Sequence, residues 1–215
     1  DRRAVDAALV SEADRRKAIL VADMDSTMIE QECIDELADA VGIKAQVAAI
    51  TERAMNGELD FEQALRHRVG LIKGLERRVI GEIRRERITL APGGRALIQT
   101  MKAFGAYTSL VSGGFTLFAE LGAVSSRAAD LLVKAEQGEG AAEYFARRIG
   151  FDEAIANVLE FEDDRLTGTL ASPIVDRSTK RSRLESLAAE RDVPISRTMA
   201  VGDGANDLDM IRAAG

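Results

Sequence analysis

The sequence predicts an α/β fold, a Rossmann-like parallel sheet core with a helical cap inserted after the first strand. Three observations predict it. The apolar run Ala18-Ile19-Leu20-Val21-Ala22 is short, branched and bounded by charge, which suits a strand buried on both faces, and it stops at two carboxylates, Asp23 and Asp25. From residue 34 to residue 88 the chain carries four helical patterns and no convincing strand. Two later strand-like runs, 106–111 and 198–201, each end in a glycine-rich turn, Ser112-Gly113-Gly114 and Gly202-Asp203-Gly204. Ligands of open parallel sheets bind beyond the strand C-termini, so the site is expected where these three runs end.

At 215 residues the chain is long enough for one sizeable core and a small second domain. Residues 1–17, charged and with helical spacing at Val5, Ala8 and Leu9, read as a linker remnant of a longer chain. Residues 18–30 and 90–215 are expected to form the core, with a small β-hairpin near 155–171, and residues 31–89 the cap. Hydrophobic residues at 46% and charged residues at 30% describe a folded globule. No apolar run approaches the ~20 residues needed to cross a bilayer and no basic-then-apolar leader is present, which argues against membrane insertion and export and for the cytoplasm. The single cysteine, Cys33, cannot close an internal disulfide and fits a small buried residue in a reducing compartment. A net charge of -7 argues against a nucleic-acid partner. An anionic substrate would have to be attracted by local positive groups.

The pair Asp23 and Asp25 comes first in the chain. In extended backbone two such residues face one side roughly 6.5 Å apart, so both can address one small substrate. A carboxylate ionised at neutral pH needs no base to attack a phosphoryl group, and the second acid can protonate the departing alcohol and then take a proton from water. The same spacing also fits a calcium-type loop or a helix N-cap. Helices follow at 34–41, 45–55, 60–72 and 75–88; Gly42 and Gly57 serve as left-handed C-caps, and Asp60 with Gln63 resembles a capping box. His67, the only histidine, stands between two arginines and reads as surface or packing.

A helix ending at Gly105 leads into the 106–111 strand, whose Ser112-Gly113-Gly114 end offers a hydroxyl and open backbone N–H groups to a phosphate oxygen, or forms an ordinary serine-capped turn. Helical stretches are expected at 126–137, with a stripe of Ala128, Leu131, Leu132 and Ala135, and at 141–149. A hairpin is expected with strands 156–161 and 165–170. In the helix 178–191, Lys180 lies at the N-terminus, against the dipole preference, as a lysine facing an anion would; a solvated lysine is the alternative. The turn 202–207 is no dinucleotide loop, since Asp207 takes the third glycine position and acids repel a pyrophosphate; its carboxylates suit a hard cation.

In this order, Asp23-Met24-Asp25-Ser26-Thr27, Val111-Ser112-Gly113-Gly114-Phe115, Lys180 and Gly202-Asp203-Gly204-Ala205-Asn206-Asp207 resemble the four motifs of the haloacid dehalogenase superfamily of phosphatases. Glu32, the run 50–62, Arg68 and Pro173-Ile174-Val175-Asp176 are similar to the phosphoserine phosphatase branch of that superfamily, and the likeness covers about residues 18–215. The resemblance implies an Mg²⁺-dependent hydrolase that converts O-phospho-L-serine to L-serine and phosphate through an aspartyl phosphate, the last step of serine biosynthesis. It places the nucleophile on Asp23 and the general acid/base on Asp25. Phosphate binding falls on Ser112, Gly113 and Lys180, and the metal on Asp203, the Asp23 carboxylate and the Asp25 main-chain oxygen. Asn206 and Asp207 match the supporting pair of the last motif, Asn206 also contacting substrate. In the cap, Glu32 matches the contact to the substrate amino group, Arg68 the contact to its carboxylate, and Met55 and Phe61 the apolar lining. The implied partner is a small molecule, and a homodimer is left open.

Two features depart from the family pattern. The stretch 115–150 is longer than the family's single helix, with the excess at about 121–142, expected as an add-on helix outside the catalytic core; and family members continue past the point matching Gly215 with a strand, an Ala-Lys-Pro loop and a helix. Three other readings use the same acids: a receiver-like signalling domain, a catalytically silent phospho-ligand binder, and a related phosphatase or phosphotransferase for another small phosphate. The first lacks a helical cap and has no need of Glu32 with Arg68, whereas the second could use the same phosphate pocket.

Overall fold

The structure, a computed structural model, describes residues 12–55, 58–116 and 149–215, the side chain of Met55 excepted. Strands β1 (Ile19–Ala22), β2 (Tyr107–Phe115), β3 (Glu153–Asn157) and β6 (Thr198–Val201) form one sheet in the order β3-β2-β1-β6, with every neighbouring pair parallel. All four residues of β1 are fully buried because both faces are covered. Leu20 and Ala22 join Leu110 and Ile98 in one apolar layer, and Ile19 and Val21 join Leu184, Leu187 and Met210 in the other. The side-chain period of two sends alternate residues of β1 into different cores, so both faces of this strand are apolar. Each large aliphatic side chain buried in this way contributes about 1.5–3 kcal/mol.

The first layer is built by α1 (Cys33–Ala40), α2 (Lys44–Met55), α3 (Phe61–Leu71), α4 (Arg77–Glu86) and α5 (Gly94–Ala103), the second by α6 (Arg177–Glu190) and α7 (Leu208–Ala213). Helices α1 to α4 are inserted between β1 and α5, as the sequence predicts. Where the chain leaves and re-enters, the two crossings are zipped: Ile29 bridges Leu90, Glu30 N donates to Thr89 O at 3.0 Å, Thr89 N donates to Gln31 Oε1 at 2.8 Å and the Thr89 hydroxyl to Glu30 Oε2 at 2.5 Å. Local signals account for the helix ends. Asp60 caps α3 by accepting from Gln63 N at 2.7 Å, and Gly42 follows α1 at φ +73°, a conformation that glycine adopts without steric cost. Asp176 caps α6, accepting from Thr179 N at 2.9 Å while its own N–H donates to the Thr179 hydroxyl at 3.3 Å.

Two boundaries differ from the sequence expectation. β2 does not stop at Val111 but runs on through Ser112, Gly113 and Gly114 to Phe115, with a register irregularity after Val111. Ala156 and Asn157, expected in the hairpin, end β3 in the main sheet, and the hairpin is β4 (Leu159–Glu162) with β5 (Arg165–Leu170). The buried Asn157 is the physical reason: its amide donates to Gly113 O at 2.8 Å and its oxygen accepts from Val175 N at 2.8 Å, bonds available only beside β2. The hairpin is stitched to the helical insertion instead. Gly74 N donates to Leu166 O at 2.8 Å, Leu166 N to Leu75 O at 2.9 Å, Arg165 pairs with Glu76 at 2.5 Å and the Arg77 guanidinium lies 3.7 Å over the Phe161 ring. The helical stretch 126–137, the add-on at 121–142, Gly57 and most of 141–149 lie outside the described residues. No helix among the described residues is long and apolar enough to cross a membrane.

Asp152 locks the start of β3. Its Oδ2 accepts from the Thr108 N–H at 2.8 Å and the Thr108 hydroxyl at 2.9 Å, and its Oδ1 from Lys102 Nζ at 2.6 Å. Burial alone pushes this carboxyl up, but the hydrogen bonds from Lys102 and Thr108 outweigh it and hold it below the usual carboxylate range. A depressed folded pKa contributes stability above the unfolded value near 3.9, lost as pH falls through the folded value. Asp152→Asn is expected to cost about 1–2 kcal/mol at pH 7 and to flatten the acid limb of stability below about pH 4, measured by denaturant titration at each pH.

Candidate active site

The C-terminal ends of β1 and β6 bring the acids together. Asp23 N donates to Val201 O at 2.9 Å, so Asp23 continues the strand pairing one residue past β1, with its side chain 4% exposed as a residue. Its Oδ1 accepts from Met24 N at 2.8 Å and its Oδ2 from Lys180 Nζ at 2.7 Å. Lys180, on the first turn of α6 and 1% exposed, also reaches Asp207 Oδ1 at 2.7 Å. Asp207 is fully buried, and its Oδ2 accepts from Gly204 N at 3.1 Å. Asp203 stands exposed beside them, with Oδ1 accepting from the Thr27 hydroxyl at 2.9 Å.

Carboxylate oxygens of Asp23, Asp203 and Asp207 lie within 4.8 Å of one another, and one ammonium is set against the three acids. Burial pushes Asp23 up, Lys180 pulls it back and Asp207 pushes it up again. The donor set fits a hard cation, which takes one or two carboxylates and completes its shell with water and ligand oxygens. Asp23 and Asp207 each have both oxygens engaged, by Met24 N and Lys180 and by Lys180 and Gly204 N, whereas Asp203 has only its Oδ1 engaged among the described residues and is the acid most open to such a cation.

Asp25 lies on the other side of Asp23 in a different environment. A Cβ on Gly114 would fall 2.6 Å from Asp25 Oδ2 and 3.1 Å from Ser112 Oγ, so only glycine lets the β2 turn close on this acid. Burial, above all, pushes the Asp25 carboxyl up to about 7; hydrogen bonds from the Cys33 thiol and N–H oppose the shift, and Glu32 and Asp23 add to it. Asp25 Oδ1 is buried with no hydrogen-bond partner among the described residues. Such a group can carry a proton near neutrality and give it up. Ser112 is buried, and its Oγ accepts from Gly114 N at 2.9 Å.

The insertion supplies the remaining groups. Glu32, the N-cap position of α1, accepts from the Ser26 hydroxyl at 2.5 Å, and Ser26 itself holds the left-handed φ of +54°. Partial desolvation pushes Glu32 up, Ser26 pulls it down, and Asp203 and Asp23 push it up. Arg68 on α3 donates to Ala64 O at 3.3 Å and to the Thr51 hydroxyl at 3.4 Å; its guanidinium is partly desolvated and feels Asp35, Glu32 and Asp25. Phe61 faces the β2 turn, where a Cβ on Gly113 would lie 3.2 Å from its Cζ. A cleft of about 500 Å³ opens beside Phe61, lined also by Asp60, Glu62, Pro173, Ile174 and Asp176. Asn206 abuts Gly204, where a Cβ would collide with its Oδ1. His67 is exposed, as expected, and the Met55 side chain lies outside the described residues. Four residues at the site are given no part in it by the sequence analysis: Thr27, Cys33, Ser26 and Asn157. Of these only Asn157, an amide inside an apolar run, carries a signal of its own.

These features define a class. A haloacid dehalogenase-like hydrolase family model matches residues 17–215, and the chain belongs to that family. Among its relatives, the chain is 43% identical to the phosphoserine phosphatase of Streptomyces coelicolor over 98% of this chain and 46% of that protein. Two solved structures, a phospho-aspartyl intermediate analogue of phosphoserine phosphatase and a substrate-bound phosphoserine phosphatase complex, each superpose with a TM-score of 0.72 at 32% identity, covering 94% of this chain and 85% and 84% of theirs. The chain spans about half the length of the curated relatives it matches.

Lys180 is the test of this geometry. Lys180→Met leaves Asp23 and Asp207 facing each other without a counter-charge and is expected to cost about 3–5 kcal/mol, the range for removing one partner of a buried ion pair. Adding Asp207→Asn should recover part of that loss; chemical denaturation of the two single variants and the double variant measures the coupling.

Proposed function

We propose that this chain hydrolyses O-phospho-L-serine to L-serine and phosphate through an aspartyl phosphate on Asp23, in the cytoplasm, as the last step of serine biosynthesis. The observation that carries the reading is the pairing of Asp23 with Lys180 at the end of β1, beside an Asp25 whose carboxyl is pushed up to about 7. The likeness to phosphoserine phosphatases, one of them an intermediate analogue, supports it. Residues 18–30 and 90–215 serve as the core and 31–89 as the cap.

Asp23 attacks phosphorus in line with the ester bond, and the bond to the serine oxygen breaks as Asp25 gives that oxygen its proton. Water then attacks phosphorus, Asp25 takes back a proton, and the bond to Asp23 breaks to release phosphate. Lys180, the Ser112 hydroxyl and the Gly113 N–H neutralise the equatorial oxygens, where phosphoryl transfer needs most help. Asp203, the Asp23 carboxylate and the Asp25 main-chain oxygen would hold Mg²⁺, with Asn206 and Asp207 in support. Bound there, Mg²⁺ supplies positive charge to a phosphate dianion that one lysine cannot neutralise. Glu32 takes the substrate ammonium, Arg68 its carboxylate through two parallel hydrogen bonds, and Phe61 and Met55 line the space between.

Phosphate release from O-phosphoserine, assayed with Mg²⁺ and with excess chelator, tests the reading. Turnover is expected only with the metal. Asp23→Asn should abolish it while the fold persists, and acid quenching of the wild-type enzyme, borohydride reduction of the acyl phosphate and peptide mapping should find the label on Asp23; a phosphoryl group on another residue sinks the mechanism.

Selectivity gives a separate outcome. A substrate without ammonium and carboxylate leaves Glu32 and Arg68 unpaired in the closing site, and an unpaired charge costs several kcal/mol, with 1.4 kcal/mol worth about tenfold in rate. Arg68→Ala is expected to lower kcat/KM for phosphoserine far more than for an aryl phosphate. Proportional loss on both substrates would assign Arg68 to the phosphate or the fold.

A further inference from the structure

The three clustered acids are held in unequal ways. Asp23 is fixed by Met24 N and Lys180, and Asp207 by Lys180 and Gly204 N, all buried contacts. Asp203 is exposed, and among the described residues its one side-chain hydrogen bond comes from the Thr27 hydroxyl at 2.9 Å, across a sequence separation of 176 residues. Thr27 is well placed to aim that hydroxyl. It sits in the tight turn after β1, where its N–H and that of Met28 both donate to Met24 O, at 3.2 and 2.8 Å.

We infer that Thr27 is a positioning residue for the cation site: by occupying Asp203 Oδ1 it selects the side-chain rotation that presents Oδ2 beside Asp23. This rests on the reading of Asp203 as a cation ligand and extends it to the residue that orients that ligand. Three observations favour positioning over simple fold stabilisation. The bond joins two loops that carry acids, not two packed elements. Thr27 is partly exposed and Asp203 exposed, so water replaces the bond in an unliganded variant at little cost. An aspartate with one oxygen pinned loses less rotational freedom when its other oxygen takes a cation. Residues that orient a metal ligand typically change metal affinity by about 10- to 100-fold when removed.

The decisive comparison is Thr27→Val, which keeps the shape and loses the donor, against Thr27→Ser, which keeps the donor. Mg²⁺ dissociation constants come from calorimetric titration of the metal-stripped protein, alongside wild type and Asp203→Asn. Thr27→Val is expected to bind Mg²⁺ about 10- to 100-fold more weakly with an unchanged metal-free Tm, and Thr27→Ser to bind close to wild type. Wild-type affinity in Thr27→Val, or equal losses in the two variants, overturns the inference while leaving the cation site standing. If Asp203→Asn binds as wild type does, or wild type binds no Mg²⁺, the cation reading itself fails and this inference with it.

Discussion

The buried ammonium of Lys180 is the constraint on which the site depends. An ammonium at 1% exposure, removed from water, is tolerable only when its lost hydration is replaced, and Asp23 and Asp207 replace it at 2.7 Å each. Asp23 directly follows β1, Asp207 ends the turn between β6 and α7, and the lysine comes from the first turn of α6, so one charge cluster ties together β1, the turn after β6 and α6. It also explains a lysine where the helix dipole disfavours one: the Nζ reaches across to two anions whose field exceeds that of the helix end. Function and fold meet in this cluster. An incoming phosphate would meet a lysine already held in line with the attacking carboxylate.

The same cluster separates the roles of Asp23 and Asp25. Both carboxyls are pushed up by burial, but Asp23 has an ammonium in contact that draws it back, whereas Asp25 is closed in by Gly114 and held by the Cys33 thiol and N–H, with one oxygen unpartnered. Two acids two residues apart thus acquire different tasks from their neighbours, one suited to remain ionised and attack, the other to carry a proton. A one-residue slip of the strand would turn Ala22 or Met24 toward Lys180 and leave the ammonium without its carboxylate, since alternate residues face opposite sides.

What could be read from the chain follows the range of the interactions involved. β1 was legible because four consecutive apolar residues report burial on both faces, and the Asp60 cap and Gly42 stop were legible because each acts within one helical turn. The glycine-rich segments after Val111 and Val201 both lie at the end of the sheet that carries Asp23, although β2 runs through Ser112 where a stop was expected, because backbone pairing with β3 resumes at Phe115. The displaced hairpin shows the limit. Local pattern in 156–161 does not distinguish a hairpin strand from the end of a sheet strand, and the deciding bonds of Asn157 go to Gly113 and Val175. Thr27 with Asp203 and Cys33 with Asp25 were invisible for the same reason: a threonine or a buried cysteine carries no local sign of the partner that folding gives it.

The attachments of the helical insertion bear on how its charges address the sheet. One attachment is the zipped crossing at 29–31 and 88–91, and the other is the stitch of residues 74–76 to the hairpin. Glu32 immediately follows the first, and Arg68 lies in the last turn of α3, just before the second. Each of these two charges is therefore close to a point where the insertion is fastened. Phe61 is at the opposite end of α3, about 10 Å from Arg68 along the axis at 1.5 Å per residue, and it is there that the 500 Å³ cleft opens against Pro173 and Ile174. Phe61 itself packs toward Gly113 of β2 and the apolar core, so this end of α3 also meets the sheet, and the cleft lies beside that contact.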